Sequence, residues 1–276
     1  MVLGMSKVLQ AKFFNEFIDM VDLCCKLGWN ERNGGNMSYR IKSEDIETIS
    51  SDFSYEKPWN EIGVTVKNLA NEYFLVTGSG RFFRYTKAEP ENSVCIAQID
   101  EKGEKYRIVW GLKEGGRPTS EFPTHLLNHS VKMDITGGKH RLVMHVHPVN
   151  TIALTFVLPQ NDKDFTREIW DMMPECAVVF PRGIGILPLM LTGSIDIAKA
   201  TAEKFKYYDV VVWSMHGIFS SGEDFRSVFG IIETVEKAAE ILVKVLSMGG
   251  KKVRPTPEQI IEVCDEYNLD INKDLL

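Results

Sequence analysis

Residues 141–147 of this 276-residue chain read Arg-Leu-Val-Met-His-Val-His, and the run of large and β-branched apolar residues predicts a buried β-strand. Side chains two residues apart on a strand point to the same face, with Cα atoms roughly 6.6 Å apart. His145 and His147 can therefore converge on one metal ion through imidazole nitrogens. Taken alone, a His-x-His pattern is more typical of histidines hydrogen-bonded in a core or on a surface, so other segments must decide.

A third candidate ligand is His216, which follows a predicted strand at 210–213 and precedes Gly217, where the chain can turn sharply. Three neutral imidazoles with one open position form the ligand set of a catalytic zinc site. By itself, His216 would be a histidine hydrogen-bonded near a turn. His125 and His129 form a competing pair, because i,i+4 spacing on a helix also suits a metal. On an exposed helix face, such a pair is more often simply solvated.

Glu121 is the candidate catalytic carboxylate, and it lies at the start of a helix predicted from about residue 120 to residue 133. An acidic residue in a first helical turn stabilises the helix dipole. A carboxylate beside a metal can instead act as a general base. Spacing alone leaves both interpretations open.

The composition favours a folded protein and disfavours two classes of partner. Hydrophobic residues make up 44% of the chain and charged residues 25%, which are ordinary values for a globular domain. The net charge of −6 and the lack of a long Lys/Arg run argue against nucleic acid or an anionic membrane as a partner. Backbone amides can still bind a phosphate group without a basic patch.

The cysteines and the apolar segments bear on cellular location. An odd number of scattered cysteines without Cys-x-x-Cys spacing favours reduced thiols over a disulfide framework. Residues 1–7 contain no signal-peptide apolar region, and the apolar windows at 142–158 and 176–191 are interrupted by His, Pro or Arg. The sequence therefore predicts a soluble, cytoplasmic protein. The five cysteines are Cys24, Cys25, Cys95, Cys176 and Cys264.

Apolar periodicity predicts one α/β domain over residues 1–276, with a central sheet flanked by helices. Ser6 is the expected cap of the first helix and Gly28 its stop. Residues 42–71 are polar and predicted to be irregular. Predicted helices span about 6–27, 120–133, 151–158, 165–172, 194–207 and 227–247. Predicted strands span about 37–41, 73–77, 93–100, 105–110, 141–147, 176–180 and 210–213.

Seven segments, in family order over nearly the whole chain, resemble those of the class II, zinc-dependent sugar-phosphate aldolases. Residues 42–71 and the tail after 250 match this family weakly. By themselves, the Asn-Gly-Gly-Asn and Gly-Ser-Gly stretches would be plain turns. The matching segments are 28–36 (Gly-Trp-Asn-Glu-Arg-Asn-Gly-Gly-Asn), 76–80 (Val-Thr-Gly-Ser-Gly), 118–121 (Pro-Thr-Ser-Glu), 143–147, 179–188, 216–217 and 243–250.

The resemblance implies a mainly antiparallel central sheet flanked by helices, a reaction, and residue roles. The reaction is reversible retro-aldol cleavage of L-rhamnulose 1-phosphate to dihydroxyacetone phosphate and L-lactaldehyde, in rhamnose catabolism. His145, His147 and His216 would hold one zinc ion per subunit, with Glu121 as the catalytic carboxylate. Glu175 would reach the neighbouring subunit's site in a homotetramer whose sites lie at subunit interfaces. The residues implied for substrate phosphate binding are Asn33, Gly35, Asn36, Ser79, Gly80, Thr119 and Ser120.

Two alternatives remain at this stage. Another class II reaction, L-fuculose-phosphate cleavage or pentulose-phosphate 4-epimerisation, uses the same metal chemistry. The epimerases carry Asp in place of Glu121, and both groups lack counterparts of residues 42–71 and of the arm at 101–110, which disfavours them. A non-catalytic module like the adducin head has the same fold, but the three histidines and Glu121 argue against it.

Overall fold

The strand predicted around His145 lies inside a nine-stranded sheet in a computed structural model of the chain, which describes residues 6–276. The strands are β1 (Asn36–Arg40), β2 (Asn60–Glu61), β3 (Tyr73–Thr77), β4 (Val94–Ile99), β5 (Lys105–Gly111), β6 (Leu142–Val146), β7 (Gly185–Leu187), β8 (Val210–Trp213) and β9 (Gly217–Gly222). Their order across the sheet is β2-β5-β4-β3-β1-β6-β9-β8-β7. Neighbours are antiparallel except β7 and β8, which run parallel, so the sheet is mixed but mainly antiparallel, as predicted.

Helices flank this sheet, which confirms the predicted α/β class. The helices are α1 (Lys7–Gln10), α2 (Lys12–Lys26), α3 (Ser43–Ile49), α4 (Phe83–Thr86), α5 (Pro90–Ser93), α6 (Phe122–Thr136), α7 (Val149–Leu154), α8 (Asp162–Trp170), α9 (Pro174–Val179), α10 (Ile195–Phe205), α11 (Phe225–Ser247) and α12 (Pro257–Glu266). No helix among residues 6–276 combines the length and the apolar character needed to cross a bilayer. Residues 1–5 lie outside the described residues. They belong to the stretch in which the sequence predicts no signal peptide.

Alternation along the central strands directs side chains to two different layers. Met37 and Tyr39 of β1 pack in the large core with helices α2 and α11, whereas Ser38 between them points to the opposite side. On that side, α6 packs Phe122 and Leu126 against strands β3 to β5. Helix α10 covers β6, β8 and β9 in a third cluster. Polar side chains of β1 and β6 that face α6 are thus enclosed between sheet and helix.

Several predicted elements are confirmed with small changes in their ends. The strand at 73–77, the hairpin of β4 and β5, and the strand at 210–213 form as predicted, and the helices at 120–133, 194–207 and 227–247 are α6, α10 and α11. The first helix is broken at Ala11, whose ψ of 136° is extended. Ser6 does not cap it, because the Ser6 hydroxyl donates to Asp52 instead. Gly28, with φ of 75°, ends the region as expected.

The strand predicted at 176–180 is wrong, because this segment lies in helix α9. Pro174 occupies the first turn, where its fixed φ favours a helix and its missing N–H costs nothing. Cys176 and Ala177 then pack into the main core, and this tertiary contact overrides the β propensity of the neighbouring valines.

Other elements were not predicted. The sequence predicts no strand after Gly217, where β9 lies, and residues 42–71, predicted to be irregular, contain helix α3, the short strand β2 and two 3₁₀ turns. Strand β9 is buried along its whole length between β6 and β8, so its serines and glycines are held by ladder hydrogen bonds from both sides. Its sequence lacks the run of apolar residues that would predict a central strand.

Candidate active site

Three histidine rings meet at one end of the central strands. His145 lies in β6, His147 directly after it, and His216 in the turn between β8 and β9. The Nε2 atom of His145 is 3.1 Å from that of His216 and 3.2 Å from that of His147. Ligand nitrogens of the three residues all lie within 4.8 Å of one another, which is the arrangement of a group able to hold a metal ion.

Local backbone features bring His216 back towards the other two rings. The His216 N–H donates to the Trp213 carbonyl at 3.1 Å, which closes a tight turn, and Met215 adopts a left-handed φ of 62° within it. Gly217 follows, and a Cβ there would lie 2.8 Å from the His147 ring and 3.0 Å from the His145 ring. Only glycine therefore lets β9 pass this close to the site.

Hydrogen bonds to the Nδ1 atoms orient the first two rings. His145 Nδ1 lies 3.0 Å from the Ile218 carbonyl, and His147 Nδ1 lies 3.0 Å from the Glu31 carboxylate. A donor at Nδ1 leaves Nε2 free of hydrogen and directed at the site. Burial lowers the pKa of His216 to about 4 and lowers that of His145, so both rings are neutral at neutral pH, the form that binds metals.

Glu121 lies beside this group at the start of α6 and is only 7% exposed. Its Oε2 is 3.8 Å from His145 Nε2 and accepts a hydrogen bond from Asn36 Nδ2 at 2.8 Å. Burial raises the pKa of Glu121 to about 7, while the Asn36 hydrogen bond opposes this rise. A carboxyl with this pKa can both take and give a proton near neutral pH.

A cavity of about 150 Å³ adjoins the histidines and Glu121. The Ser79 and Thr119 amides already donate to the Arg117 and Thr77 carbonyls, so these two residues can offer hydroxyls to a ligand. Gly35 has φ of 73°, and an added Cβ would lie 2.8 Å from the His145 carbonyl. The lining includes all seven residues predicted for phosphate binding: Asn33, Gly35, Asn36, Ser79, Gly80, Thr119 and Ser120.

Glu175, the other predicted catalytic carboxylate, is exposed in the first turn of α9 and does not line this cavity. The structure therefore brings together eleven of the twelve predicted site residues within the chain and leaves Glu175 outside. A role for Glu175 requires a second copy of the chain.

The expectation that His125 and His129 form a solvated pair on a helix face is wrong. Both rings are buried, with exposures of 0% and 1%, and both hydrogen-bond to the hydroxyl of Ser38. They are therefore internal residues of the sheet–helix contact. Two sequence patterns could have indicated this contact, because each places side chains on one face of its element. They are the i,i+4 spacing of His125 and His129 and the position of Ser38 two residues after Asn36.

Glu31 is a second residue that the sequence interpretation passed over. It lies within the Gly-Trp-Asn-Glu segment, and its contact with His147 depends on a turn that brings residues 31 and 147 together. The Trp29 carbonyl accepts from the His147 N–H at 2.8 Å, which fixes this turn against the end of β6.

Comparison with known proteins matches the chain to one family over most of its length. The model of the "Class II Aldolase and Adducin N-terminal domain" matches residues 15–243. Proteins named rhamnulose-1-phosphate aldolase are 49% identical in Mannheimia succiniciproducens, over 82% of this chain and 83% of that protein, and 43% identical in Klebsiella pneumoniae, over 96% of both.

Solved structures show the same fold. The crystal structure of a sugar-phosphate aldolase from Thermotoga maritima superposes with a TM-score of 0.72 at 28% identity, covering 86% of this chain and 95% of the other. L-fuculose-1-phosphate aldolase from Thermus thermophilus gives 0.58 at 18% identity, covering 87% and 98%. The chain thus belongs to the class II aldolase and adducin N-terminal domain family.

Proposed function

We propose that this protein is a metal-dependent aldolase that reversibly cleaves L-rhamnulose 1-phosphate to dihydroxyacetone phosphate and L-lactaldehyde. The observation that carries the proposal is the convergence of His145, His147 and His216 with Glu121 only 3.8 Å from the His145 nitrogen. The substrate is supported by relatives of that name at 43–49% identity over most of the chain.

Zinc is the proposed metal, because three neutral imidazoles and one open position suit it best among common divalent ions. The three Nε2 atoms would hold it, with Glu31 and the Ile218 carbonyl orienting the rings from behind. A bound zinc ion supplies a Lewis acid that stabilises negative charge developing on the substrate oxygens, by several kcal/mol.

The phosphate end of the substrate fits the hydroxyl- and amide-lined part of the cavity. We assign it to Asn33, Ser79, Gly80, Thr119 and Ser120, which line the cavity together with the three histidines and Glu121. Neutral donors can hold a phosphate without a basic side chain. The amide of Asn36 is shared with Glu121 and His125, so it has only one hydrogen left for a ligand.

Glu121 would transfer a proton to or from C3, one of the two carbons joined by the bond that breaks. In cleavage, a base removes the C4 hydroxyl proton, the C3–C4 electron pair stays on the ketose-phosphate fragment as an enediolate, and the aldehyde leaves. Protonated Glu121 then donates to C3, which gives dihydroxyacetone phosphate. In condensation the ionised Glu121 removes that proton, and a pKa of about 7 suits both directions.

The assembly that we propose is a cytoplasmic homotetramer of single-domain subunits, in which Glu175 of one subunit serves the aldehyde end of the next subunit's site. Free thiols at all five cysteines support the location. Chain segments that come close to the cavity carry exposed apolar side chains. A Cβ at Gly193 would lie 4.0 Å from the Ser120 hydroxyl, and the Thr155 hydroxyl accepts from the Met215 N–H next to His216. These exposed side chains are Val149, Phe156, Val157, Leu189 and Leu191.

The test is a coupled assay for dihydroxyacetone phosphate, run with L-rhamnulose 1-phosphate and L-fuculose 1-phosphate on protein of measured metal content. We expect turnover that prefers the rhamnulose substrate and is lost on chelation. Glu121→Gln should keep its metal and lose about 10²–10⁴ in kcat. Preference for the fuculose substrate, or no turnover of either after zinc is added, would reject the proposal.

A further inference from the structure

A chain of buried polar side chains extends from Glu121 into the space between β1 and α6. It consists of Asn36, His125, Ser38 and His129, which are 7%, 0%, 0% and 1% exposed. Burying four polar side chains side by side costs free energy unless every hydrogen bond is well made. None of the three residues beyond Asn36 reaches the cavity, so substrate binding does not explain them.

The contacts follow one another without a gap. Asn36 Nδ2 is 2.8 Å from Glu121 Oε2, and Asn36 Oδ1 is hydrogen-bonded to His125 Nε2. His125 Nδ1 is 2.7 Å from the Ser38 hydroxyl, which is also 2.9 Å from His129 Nε2. Two strand residues and two helix residues, each pair on one face of its element, thus form a single line that ends at the catalytic carboxyl.

The chemistry of each group fixes the direction of these bonds. Glu121 Oε2 accepts from Asn36 Nδ2, so Asn36 Oδ1 must accept in turn. The hydrogen on that bond belongs to His125 Nε2, which leaves His125 Nδ1 bare to accept from Ser38. The Ser38 oxygen then accepts from His129 Nε2. Every hydrogen in the line therefore points towards Glu121.

Two further observations agree with this direction. His129 Nδ1 is buried without a hydrogen-bond partner, which is tolerable for a bare nitrogen but costly for an N–H group. Burial lowers the pKa of His125 to about 3 and also lowers that of His129, so neither ring carries a second hydrogen at neutral pH. Reversing the line would place the Asn36 amide oxygen against Glu121 Oε2, which repels it whenever Glu121 is ionised.

We propose that His125, Ser38 and His129 are positioning residues, which lock the Asn36 amide so that its N–H holds Glu121 Oε2 at the metal-ligand side of the cavity. This inference rests on the proposed catalytic role of Glu121. The line is anchored on two rigid elements, since β1 is paired on both sides and α6 packs against the sheet. Locking a reacting group in place lowers the cost of organising it in the transition state.

Two substitutions at His125 separate positioning from simple packing. The Gln amide nitrogen is three bonds from Cβ, like His Nε2, so His125→Gln keeps a donor for Asn36. The Asn amide nitrogen is only two bonds from Cβ, so His125→Asn places its donor at the Nδ1 position and leaves Asn36 Oδ1 without one. His140→Asn is the matched control, because His140 precedes β6, at the end of that strand away from the site, and bonds to Ser221.

We expect His125→Asn to lose about tenfold or more in kcat, with KM and metal content unchanged, and His125→Gln to recover most of that loss. His140→Asn should behave as the unsubstituted protein. Equal kcat in the two His125 variants, or a loss confined to KM, would overturn the inference. Lack of rhamnulose-phosphate turnover by the unsubstituted protein would instead count against the proposed function.

A measurement on the unsubstituted protein does not depend on activity or on the variants folding. Nitrogen-15 NMR of histidine-labelled protein reports which ring nitrogen carries hydrogen. We expect His125 and His129 to be neutral Nε2–H tautomers from about pH 5.5 to about pH 8.5. Replacing Ser38 with Ala should shift the nitrogen-15 signals of His125 and His129 and leave those of the histidines outside the line unchanged. This shift identifies the two signals. Finding either ring as Nδ1–H, or as a cation at neutral pH, would overturn the inference.

Discussion

Replacing Glu121 with glutamine should stabilise the metal-free protein at alkaline pH, because folding buries this carboxyl. Burial raises its pKa from 4.5 to about 7, against the opposing hydrogen bond from Asn36. The native state then holds this proton more tightly than the unfolded state does. The contribution of the Glu121 carboxyl to the free energy of unfolding is therefore fully present below about pH 4.5 and is lost as the pH rises through about 7.

The size of the effect follows from the two pKa values. At 1.36 kcal/mol per pH unit, the rise from 4.5 to about 7 corresponds to roughly 3 kcal/mol of unfolding free energy. Glutamine is uncharged at every pH, and its side-chain oxygen can accept the same hydrogen bond from Asn36 Nδ2. The variant should therefore exceed the unsubstituted protein by roughly 3 kcal/mol at about pH 8 and by little at about pH 4.5.

Urea unfolding of chelator-treated protein at both pH values measures this difference. Glu175→Gln is the matched control, because it removes an exposed carboxyl from a short helix and leaves the cavity intact. The reasoning is refuted if the advantage of Glu121→Gln over the Glu175→Gln control does not grow with pH. It is also refuted if Glu121→Gln is the less stable protein at about pH 8.

Three further predictions concern the metal and the phosphate. His147→Ala should lower the zinc content and the stabilisation by added zinc, measured by elemental analysis and thermal unfolding; full occupancy would contradict the ligand assignment. Gly217→Ala should destabilise the fold by about 1–3 kcal/mol and weaken metal binding, because the added Cβ would lie 2.5 Å from the Val146 carbonyl; unchanged urea unfolding would contradict this. Ser79→Ala should raise KM and leave kcat nearly unchanged in steady-state kinetics, since phosphate is bound alike in ground and transition states. A loss confined to kcat would remove Ser79 from phosphate binding.

Much of the site could be predicted because its ligands carry short-range patterns. The His145–His147 spacing places two rings on one face of a strand wherever that strand lies, since side-chain direction is a property of the strand itself. Similarly, Glu121 before an apolar helix predicts a carboxylate at a helix start. His216 was a candidate third ligand because it follows a predicted strand and precedes Gly217. The phosphate-binding residues came only from the resemblance to the family, because local patterns do not connect them.

Other features could not be predicted from the sequence, because they depend on tertiary contacts with residues that are distant in the chain. The i,i+4 pair His125 and His129 is polar by composition and was expected at the surface, yet α6 turns it inwards against Ser38. The valines of α9 favour a strand locally, and burial of Cys176 in the main core decides for a helix.

The amino-acid sequence by itself determined the α/β class, the order of most helices and strands, and the candidate metal-binding and carboxylate side chains, because these depend on periodicity and residue chemistry. Only the tertiary structure decided that His216 faces His145, that Glu121 is buried enough to raise its pKa to about 7, and that a line of hydrogen-bonded polar side chains lies behind it. Desolvation and hydrogen-bond direction depend on groups far apart in the chain, such as Asn36 and Glu121.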